Sequence, residues 1–332
     1  MILVTGGAGY IGCVIVEELL KKGEAVRVLD KLYFGEEGLR HLRKGVELIQ
    51  GDIRSFDPSI LEGVDAVIHL AGLSNDPTAE YNPKANMDIN VKGTENLALR
   101  CKERGIRRFV FASSCSLYDR GLFAEDVLQD ETSEVQPRAT YSISKLEAER
   151  ILRGMADEDF CPVILRQGTV YGFSPRMRYD LVVNSFLKDA IISGKMTVFC
   201  GGEMWRPLVD VSDSAKAFIC LVEAEESKVR GQVFNLSYKN YRILELAHWV
   251  KDALKGKLDP RIEVDYSSMK ARSYRVSGRK IEQVLNFRPQ VSVKDSVENM
   301  LVKIEENGFT DFSNPRYYNI KWMTLLDDME KT

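Results

Sequence analysis

Short apolar runs alternate with amphipathic helical patterns along the first half of the chain. Ile2–Thr5 has the length and composition of a strand, and the apolar residues of Tyr10–Lys22 recur at helical spacing until Gly23. The same alternation predicts further strands at Ala25–Asp30, Val46–Gln50, Ala66–Leu70, Arg108–Ala112 and Val163–Arg166, and helices at Asn82–Arg104 and Ala139–Arg153. Strands and helices in this order predict an α/β fold, a doubly wound parallel sheet with helices on both faces and right-handed connections.

The rhythm changes after about Tyr171. Predicted helices at Leu181–Ser193, Asp213–Glu225, Ile243–Leu254, Ser277–Leu285 and Val293–Asn307 accompany short strands at Thr197–Cys200 and Gln232–Leu236. We therefore expect a first domain over residues 1–170, to which segments near 207–238 return. Residues 171–332 are expected to form mainly a smaller α/β domain that binds the substrate. The aromatic stretch Phe312–Tyr318 is interpreted as a packed tail rather than a lid.

Composition narrows the possible partners. The 332 residues carry 46 basic and 49 acidic side chains, a net charge of -3, so no basic excess favours nucleic acid or a membrane surface. Six cysteines without a Cys-x-x-Cys pair and three scattered histidines argue against a metal site or a disulfide framework. No apolar stretch approaches the ~20 residues of a spanning helix, and the opening strand argues against a signal peptide. We expect a cytoplasmic enzyme.

A glycine-rich turn follows the first predicted strand and opens the first helix. Gly7-x-Gly9-x-x-Gly12 in this context is the dinucleotide fingerprint of a Rossmann-type domain, in which the helix N-terminus faces the pyrophosphate. Asp30 ends the second strand, where a carboxylate binds both ribose hydroxyls of NAD and repels the 2′-phosphate of NADP. The adjacent Lys31 could soften that repulsion. NAD is therefore the predicted cofactor.

Two later strand ends complete the predicted cofactor site. Asp52 and Ile53 follow the third strand, a position that suits the adenine ring, and the small residues of Leu70-Ala71-Gly72 follow the fourth. Ligands of such sheets bind outside the carboxyl ends of the strands, so both segments are expected to border the cofactor. His69 is interpreted as a core histidine.

Tyr141 and Lys145 provide the candidate chemistry. Their i,i+4 spacing on a predicted helix puts both side chains on one face. An ammonium beside a phenol favours the phenolate, so we expect the lysine to lower the tyrosine pKa from its usual value of about 10 and make the phenol a usable base. Ser113 and Ser114 precede the tyrosine by about one loop. A dinucleotide site with an activated tyrosine indicates hydride chemistry on an alcohol.

With these motifs the chain resembles the extended short-chain dehydrogenase/reductase family, and within it the nucleotide-sugar epimerases and dehydratases of the UDP-glucose 4-epimerase type. Leu165-Arg166 and Arg206–Val211 also match, so the resemblance spans most of the chain. It implies bound NAD and a nucleotide-diphosphate sugar as substrate, with a UDP-sugar favoured. It also implies a homodimer built from the helix Asn82–Arg104 and the helix that carries Tyr141.

The resemblance implies a role for each candidate residue. Ser114, Tyr141 and Lys145 are the implied catalytic residues, and Ser114 would hydrogen-bond the sugar hydroxyl. The implied cofactor-binding set is Gly6, Gly9, Tyr10, Ile11, Gly12, Asp30, Lys31, Asp52, Ile53, Leu70, Ala71, Gly72, Asn90, Ser113, Tyr141 and Lys145. The implied substrate contacts are Ser114, Ser116, Asn184, Arg206 and Arg272, the two arginines pairing with the diphosphate. A salt bridge is the alternative role for each arginine. Arg176 and Arg178 either contact phosphate or sugar or lie in a solvated loop.

The residues after Ser114 narrow the reaction. Relatives that dehydrate sugars resemble one another in an acidic pair directly after the Ser/Thr, and decarboxylating relatives usually carry Glu at the second position. Cys115 and Ser116 stand here instead. Cys115 is either a proton donor or, as we favour, a packed small residue. We therefore predict NAD-dependent epimerisation at C4 through a 4-keto sugar. A reductase of a nucleotide-linked 4-ketohexose that uses NAD(P)H is the alternative, and an NAD-sensing protein without catalysis is a third hypothesis.

Overall fold

A computed structural model describes residues 1–119, 121, 127–267 and 272–331. Their strands are, in chain order, β1 (Ile2–Thr5), β2 (Val26–Asp30), β3 (Val46–Gln50), β4 (Ala66–His69), β5 (Arg108–Ser114), β6 (Leu128–Gln129), β7 (Cys161–Gln167), β8 (Thr169–Tyr171), β9 (Lys195–Phe199), β10 (Trp205–Asp210), β11 (Val233–Leu236), β12 (Lys239–Arg242), β13 (Arg261–Asp265) and β14 (Arg275–Val276).

The α-helices of the described residues are α1 (Tyr10–Lys21), α2 (Asp76–Tyr81), α3 (Pro83–Met87), α4 (Thr94–Glu103), α5 (Thr140–Gly154), α6 (Val182–Ser193), α7 (Val211–Glu223), α8 (Glu226–Val229), α9 (Ile243–Ala253), α10 (Arg279–Leu285), α11 (Val293–Glu306) and α12 (Asn319–Lys331). A π-helical segment, Asp88–Gly93, joins α3 to α4. Single 3₁₀ segments occupy Glu37–Gly45, Pro58–Leu61, Cys115–Tyr118, Cys200–Gly202 and Pro315–Tyr317.

Seven parallel strands form the main sheet in the order β11-β7-β5-β4-β1-β2-β3. This is the predicted doubly wound, Rossmann-type fold. Thr5, the last residue of β1, pairs with Leu29 of β2 on one side and His69 of β4 on the other. The strands that follow β1 extend the sheet first on one side of it, as β2 and β3, and then on the other side, beginning with β4. The strand order therefore reverses between β1 and β4, and the crevice between their carboxyl ends is the expected ligand site.

Helices cover both faces of this sheet. Leu19 of α1 and Phe218 of α7 lie in the core of one face, while Leu97 of α4 and Leu152 of α5 lie in the core of the other. Strands β1, β4 and β7 are buried along their whole length. Burial on both faces explains why these strands read as continuous apolar runs in the sequence.

A second core lies in the C-terminal half. It contains Phe186 of α6, Leu246 of α9 and Met300 of α11. Two small sheets flank it, β8-β10-β12 and β9-β13, and β6 pairs with β14 elsewhere. Phe312 and Tyr317 of the predicted tail pack against this core, as expected for a packed tail.

Several short elements, among them β12 and α2, were not predicted, and two longer helical stretches also differ from the sequence prediction. The single helix predicted over Asn82–Arg104 is instead α3, a π-helical segment and α4. In the π segment, the Asn90 side chain is bonded to the Leu73 backbone, which gives the irregular turn a tertiary anchor. Helix α12 was not predicted, because no stop signal or clear apolar period marks it in the sequence.

Candidate functional site

A cleft opens at the carboxyl ends of β1 to β5. It brings together fifteen of the sixteen predicted cofactor-binding residues: Gly6, Gly9, Tyr10, Ile11, Gly12, Asp30, Lys31, Asp52, Ile53, Leu70, Ala71, Gly72, Ser113, Tyr141 and Lys145. These residues come from six segments of the chain, and the sheet topology alone makes them neighbours.

The glycine-rich turn has the shape that a dinucleotide requires. A Cβ on Gly12 would lie 2.2 Å from the Gly6 carbonyl oxygen, so no larger residue fits there. Gly6 has a φ of +72° and would place a Cβ 2.7 Å from the Ala71 nitrogen. Helix α1 starts at Gly9 without a side-chain cap, which leaves its first-turn N–H groups for a bound phosphate. These residues fit a pyrophosphate.

The acidic residues of the cleft are held by defined partners. Asp30 accepts hydrogen bonds from the backbone N–H of Ala8 at 3.0 Å and of Leu32 at 2.8 Å. Burial raises the pKa of Asp30, and those two N–H groups oppose the shift. Lys31 pairs with Asp52 at 3.1 Å. Lys31 thus has a carboxylate partner of its own, and the repulsion of a 2′-phosphate by Asp30 stays a prediction.

Asp52 is itself a strong ion-pair partner. Burial alone would raise its pKa, but the Arg54 guanidinium at 2.6 Å and the Lys31 ammonium together lower it far below its usual range. Asp52 is therefore ionised throughout the physiological range. The part of the cleft around Asp52 is accordingly polar and nearly charge-balanced.

Lys145 is fixed within the cleft by the sheet. Its Nζ donates to the Ala112 carbonyl oxygen at 2.8 Å and lies 4.7 Å from the Phe111 ring centroid and 5.9 Å from that of Tyr141. Burial lowers the pKa of Lys145 to about 8, although the Glu149 carboxylate raises it in part. The lysine is therefore cationic at neutral pH, but only narrowly.

The expected lowering of the Tyr141 pKa is not what the protein groups produce. Burial raises the pKa of Tyr141 to about 12, and the Asp76 carboxylate acts in the same direction. The guanidinium groups of Arg178 and Arg272 oppose it without cancelling it. For the protein's own groups, the predicted lowering of the Tyr141 pKa is wrong, because desolvation of the phenolate outweighs the effect of the nearby cations.

A buried ion pair lies behind Lys145. Arg166 of β7 donates from Nη2 to Glu149 Oε2 at 2.6 Å and from Nε to Oε1 at 2.9 Å, with 5% and 2% of the two side chains exposed. Glu149 also accepts the Ser113 hydroxyl, and Arg166 donates to the Tyr118 hydroxyl at 2.7 Å. Sequence analysis missed Glu149. Its position one helical turn after Lys145 was the available signal.

Asn90 lies outside the lining of the cleft. Its Oδ1 accepts the Leu73 N–H at 2.8 Å, and its Nδ2 donates to the Leu73 carbonyl oxygen and to Ser144 Oγ at 3.1 Å. A Cβ on Gly72 would come within 2.6 Å of Asn90 Oδ1. Asn90 therefore ties the strand-end loop of the cleft to the helix that carries Tyr141 and Lys145.

The serines after β5 form their own hydrogen-bonded chain. Ser114 Oγ donates to Ser116 Oγ at 2.9 Å, and Ser116 Oγ lies 2.9 Å from Ser142 Oγ. Among the described residues no hydrogen bond joins Ser114 to Tyr141. Cys115 is fully buried, its Sγ donates to the Arg166 carbonyl oxygen, and burial raises its pKa. These contacts describe a packed small residue.

The two arginines predicted to bind a diphosphate are neighbours. Arg206 donates from Nη1 to the Arg272 carbonyl oxygen and lies over the Tyr274 ring at 5.4 Å. Arg272 pairs with Asp76 of α2 at 2.8 Å. Asp76, which sequence analysis missed, therefore links these arginines electrostatically to Tyr141. Neither arginine lines the cofactor cleft, and their contact with a diphosphate stays a prediction.

Arg176 and Arg178 are both buried and line the cleft, so the solvated-loop alternative is wrong. Asn184 is fully buried and bonds to protein atoms: Oδ1 accepts the Gly172 N–H, and Nδ2 donates to the Arg178 carbonyl oxygen at 2.9 Å. Its contact with substrate stays a prediction. Asn319 of α12 also lines the cleft. The sequence carried no signal for it, since it lies 313 residues after Gly6.

Other features of the described residues do not suggest a second kind of site. None of the six cysteines, all of which lie in the described residues, forms a disulfide bond. The described part of the chain contains no cluster of three or more His, Cys, Asp or Glu residues that could hold a metal ion. In the same part, no helix has both the length and the apolar character needed to cross a membrane.

Comparison with known proteins agrees with this geometry. The family model described as "NAD dependent epimerase/dehydratase family" matches residues 2–237. A UDP-glucuronic acid decarboxylase of Arabidopsis thaliana is 29% identical over 312 residues, 90% of this chain and 68% of that protein. A protein of Bacillus subtilis described as an uncharacterised UDP-glucose epimerase is 27% identical over 315 residues, 90% of this chain and 96% of that protein.

A similar fold is found in a solved structure that contains bound ligands. The UDP-glucuronic acid 4-epimerase of Bacillus cereus, in complex with UDP-glucuronic acid and NAD, is 25% identical with a TM-score of 0.78. The alignment covers 92% of this chain and 99% of that one. The Rossmann-type fold and the family resemblance are thereby confirmed.

Proposed function

The chain belongs to the NAD-dependent epimerase/dehydratase family of nucleotide-sugar enzymes, and we propose that it epimerises a nucleotide-diphosphate sugar at C4. The observation that carries the proposal is the Tyr141–Lys145 pair of α5, which lines the NAD cleft, together with the segment Cys115–Tyr118, which follows β5 and contains no carboxylate. The cleft supports reversible oxidation of a sugar hydroxyl. The uncharged Cys115 and Ser116 support a reaction that ends with hydride return rather than elimination.

The relatives include decarboxylases, and two observations argue against that chemistry here. Decarboxylating relatives usually carry Glu where Ser116 stands, and the Ser116 hydroxyl in this chain is engaged by Ser114 and Ser142. The same segment lacks the acidic pair on which dehydration depends. An epimerase needs no additional acid at these positions, because Tyr141 can move the only proton that the redox half-reactions require.

The protein groups have distinct parts in this mechanism. NAD, when bound, supplies the hydride acceptor and a cationic nicotinamide ring. Tyr141 would remove the proton of the C4 hydroxyl while the hydride leaves C4. It would return the proton after the 4-keto sugar has rotated to present its opposite face. Lys145, held by the Ala112 carbonyl, would stabilise the phenolate electrostatically. Ser114 would orient the hydroxyl once its bond to Ser116 is exchanged for the sugar.

The diphosphate would stay bound while the 4-keto sugar rotates. Arg206 and Arg272 are adjacent, and guanidinium forks match phosphate oxygens. Asp76 occupies the Arg272 guanidinium in the structure, so substrate binding would replace a carboxylate by a phosphate at that guanidinium. A UDP-sugar is the substrate that we favour.

Proton NMR tests the proposal directly. Purified protein is mixed with UDP-glucose, UDP-galactose, their N-acetyl forms and UDP-glucuronic acid, without added cofactor. Appearance of the C4 epimer of one of them would support tightly held NAD and a self-contained redox cycle. Turnover of a 4-keto sugar only in the presence of NADH or NADPH would instead identify the reductase alternative, and release of carbon dioxide from UDP-glucuronic acid would identify a decarboxylase.

A further inference from the structure

Arg176 is a buried cation whose position the reaction above does not explain. The residue is 7% exposed and lines the NAD cleft between the end of β2 and the start of α1. Its guanidinium lies 3.8 Å from the centroid of the Phe34 ring, just after β2. A Cβ on Gly38 would lie 3.0 Å from Arg176 Cβ, so a glycine there makes room for the arginine.

The hydrogen bonds of this guanidinium are incomplete. Nη2 donates to Asn319 Oδ1 at 2.7 Å, whereas Nε is buried and donates to no atom of the described residues. Within the described part of the chain no carboxylate lies within ion-pair distance of Arg176. Arg178, two residues later, binds Asp180 through two bonds of 2.8 and 2.9 Å. Of these two arginines, only Arg178 has its charge compensated by direct contact.

A buried charge without a paired counter-ion is costly, and a ligand anion can remove that cost. Burial, together with the Arg178 charge, lowers the pKa of Arg176 to about 9, so the guanidinium is still cationic at neutral pH. The N-terminus of α1 and Asp30 both lie near Arg176: Ser174 Oγ accepts the Arg176 backbone N–H at 3.2 Å and donates to the Tyr10 carbonyl oxygen at 2.7 Å, and the Asp30 carboxylate is among the charges that act on the guanidinium. A dinucleotide carries its pyrophosphate to the first and its adenosine ribose to the second.

We propose that Arg176 binds a phosphate group of the dinucleotide, and that Asn319 of α12 is a positioning residue for its guanidinium. Asn319 is 5% exposed, its Nδ2 donates to Ser74 Oγ at 2.9 Å, and its backbone N–H donates to Asp180 at 3.1 Å. These bonds fix the amide oxygen that Arg176 uses. The phosphate belongs either to the pyrophosphate of any dinucleotide or to the 2′-phosphate of NADP.

Calorimetric titration of the full-length protein, freed of bound nucleotide, tests this assignment. We expect Arg176→Met to raise the Kd of NAD and NADP, or of NADP alone, by about 10- to 100-fold, the effect of one charge-assisted hydrogen-bond donor. Loss for both dinucleotides by the same factor identifies the pyrophosphate. Loss for NADP only identifies the 2′-phosphate. Unchanged Kd values for both would overturn the proposal.

Controls separate phosphate binding from a structural effect. Arg316→Met removes an exposed arginine that pairs with Glu37, and should leave both Kd values within twofold. The affinity for adenosine, which has no phosphate, should be equal in wild type and Arg176→Met. Asn319→Ala should weaken binding in wild type but add nothing in the Arg176→Met background. Additive losses would remove the positioning role of Asn319.

The unliganded stability of the variant gives a second readout. Because Arg176→Met removes an uncompensated buried charge, its thermal midpoint should equal or exceed that of wild type. If that variant does not fold, Arg176→Gln provides the binding test, since it removes the charge and keeps a long polar side chain. Unchanged Kd values in Arg176→Gln would then overturn the proposal. Binding is measured without turnover, so the outcome is independent of the proposed epimerase reaction.

Discussion

The Arg166–Glu149 ion pair makes a quantitative prediction about stability. Both side chains are almost fully buried and joined by three hydrogen bonds of 2.6, 2.9 and 3.2 Å. Replacing Arg166 by Met keeps the side-chain length but leaves the Glu149 carboxylate buried without a directly bonded cation. Breaking a buried pair in this way costs about 3–5 kcal/mol. Because Glu149 keeps the Ser113 hydroxyl as a donor, we expect the lower part of that range.

The assay is urea denaturation followed by circular dichroism, with NAD at one saturating concentration throughout. Arg150→Met is the matched control, since Arg150 pairs with Glu147 on the same helix but is 64% exposed. Its expected effect is below about 1 kcal/mol. The comparison isolates burial, because both variants remove one arginine from one salt bridge.

The double variant Glu149→Met/Arg166→Met completes the test. Removing both charges eliminates the uncompensated carboxylate, so the double variant should be more stable than Arg166→Met. Two results would refute the reasoning: a loss below about 1 kcal/mol in Arg166→Met, or a double variant less stable than that single one. Either would mean that the pair is hydrated in solution.

Four further predictions concern the cleft and its assembly. Tyr141→Phe should lower kcat by at least ~10²-fold while NAD remains bound; retained turnover would contradict the role of Tyr141. Since burial lowers the pKa of Lys145 to about 8, its cation is present below that pH and lost above it, so kcat/KM should fall above about pH 8. In Lys145→Arg the residual activity should lack that fall, and an identical fall would assign it to another group. Gly12→Ala should abolish NAD retention, as measured by nucleotide released on denaturation, because its Cβ would collide with the Gly6 carbonyl. Light scattering should give twice the protomer mass of 37.6 kDa, and a monomer at micromolar concentration would rule out the dimer.

The parts of the fold that follow from local patterns could be predicted from the sequence. Strands β1 and β3 have the predicted bounds. For β1 the reason is that a strand buried on both faces appears as an apolar run between turn signals. The same holds for the glycine-rich turn, whose steric requirement is contained in seven consecutive residues. Strand β12, with the sequence KNYR, was missed because it holds only one fully buried residue.

The parts that depend on distant contacts could not be predicted. Asn319 reaches the cleft only because α12 folds back to Ser74 and Asp180. The raised pKa of Tyr141 results from burial and from Asp76, which are properties of the assembled site rather than of the Tyr-x-x-x-Lys spacing. In the sequence, Arg176 stood out only because Arg178 follows it closely. Its contact with the Phe34 ring, which places it beside the end of β2, could not be predicted.

The distribution of the cleft wall along the chain has a consequence for biosynthesis. All seven strands of the main sheet lie before residue 237, whereas Asn319 follows much later. Because the ribosome synthesises the chain from its N-terminus, the strands of the sheet and the glycine-rich turn emerge before the part of the cleft wall that Asn319 forms. Until α12 docks against Ser74 and Asp180, the cleft lacks the part of its wall that Asn319 supplies.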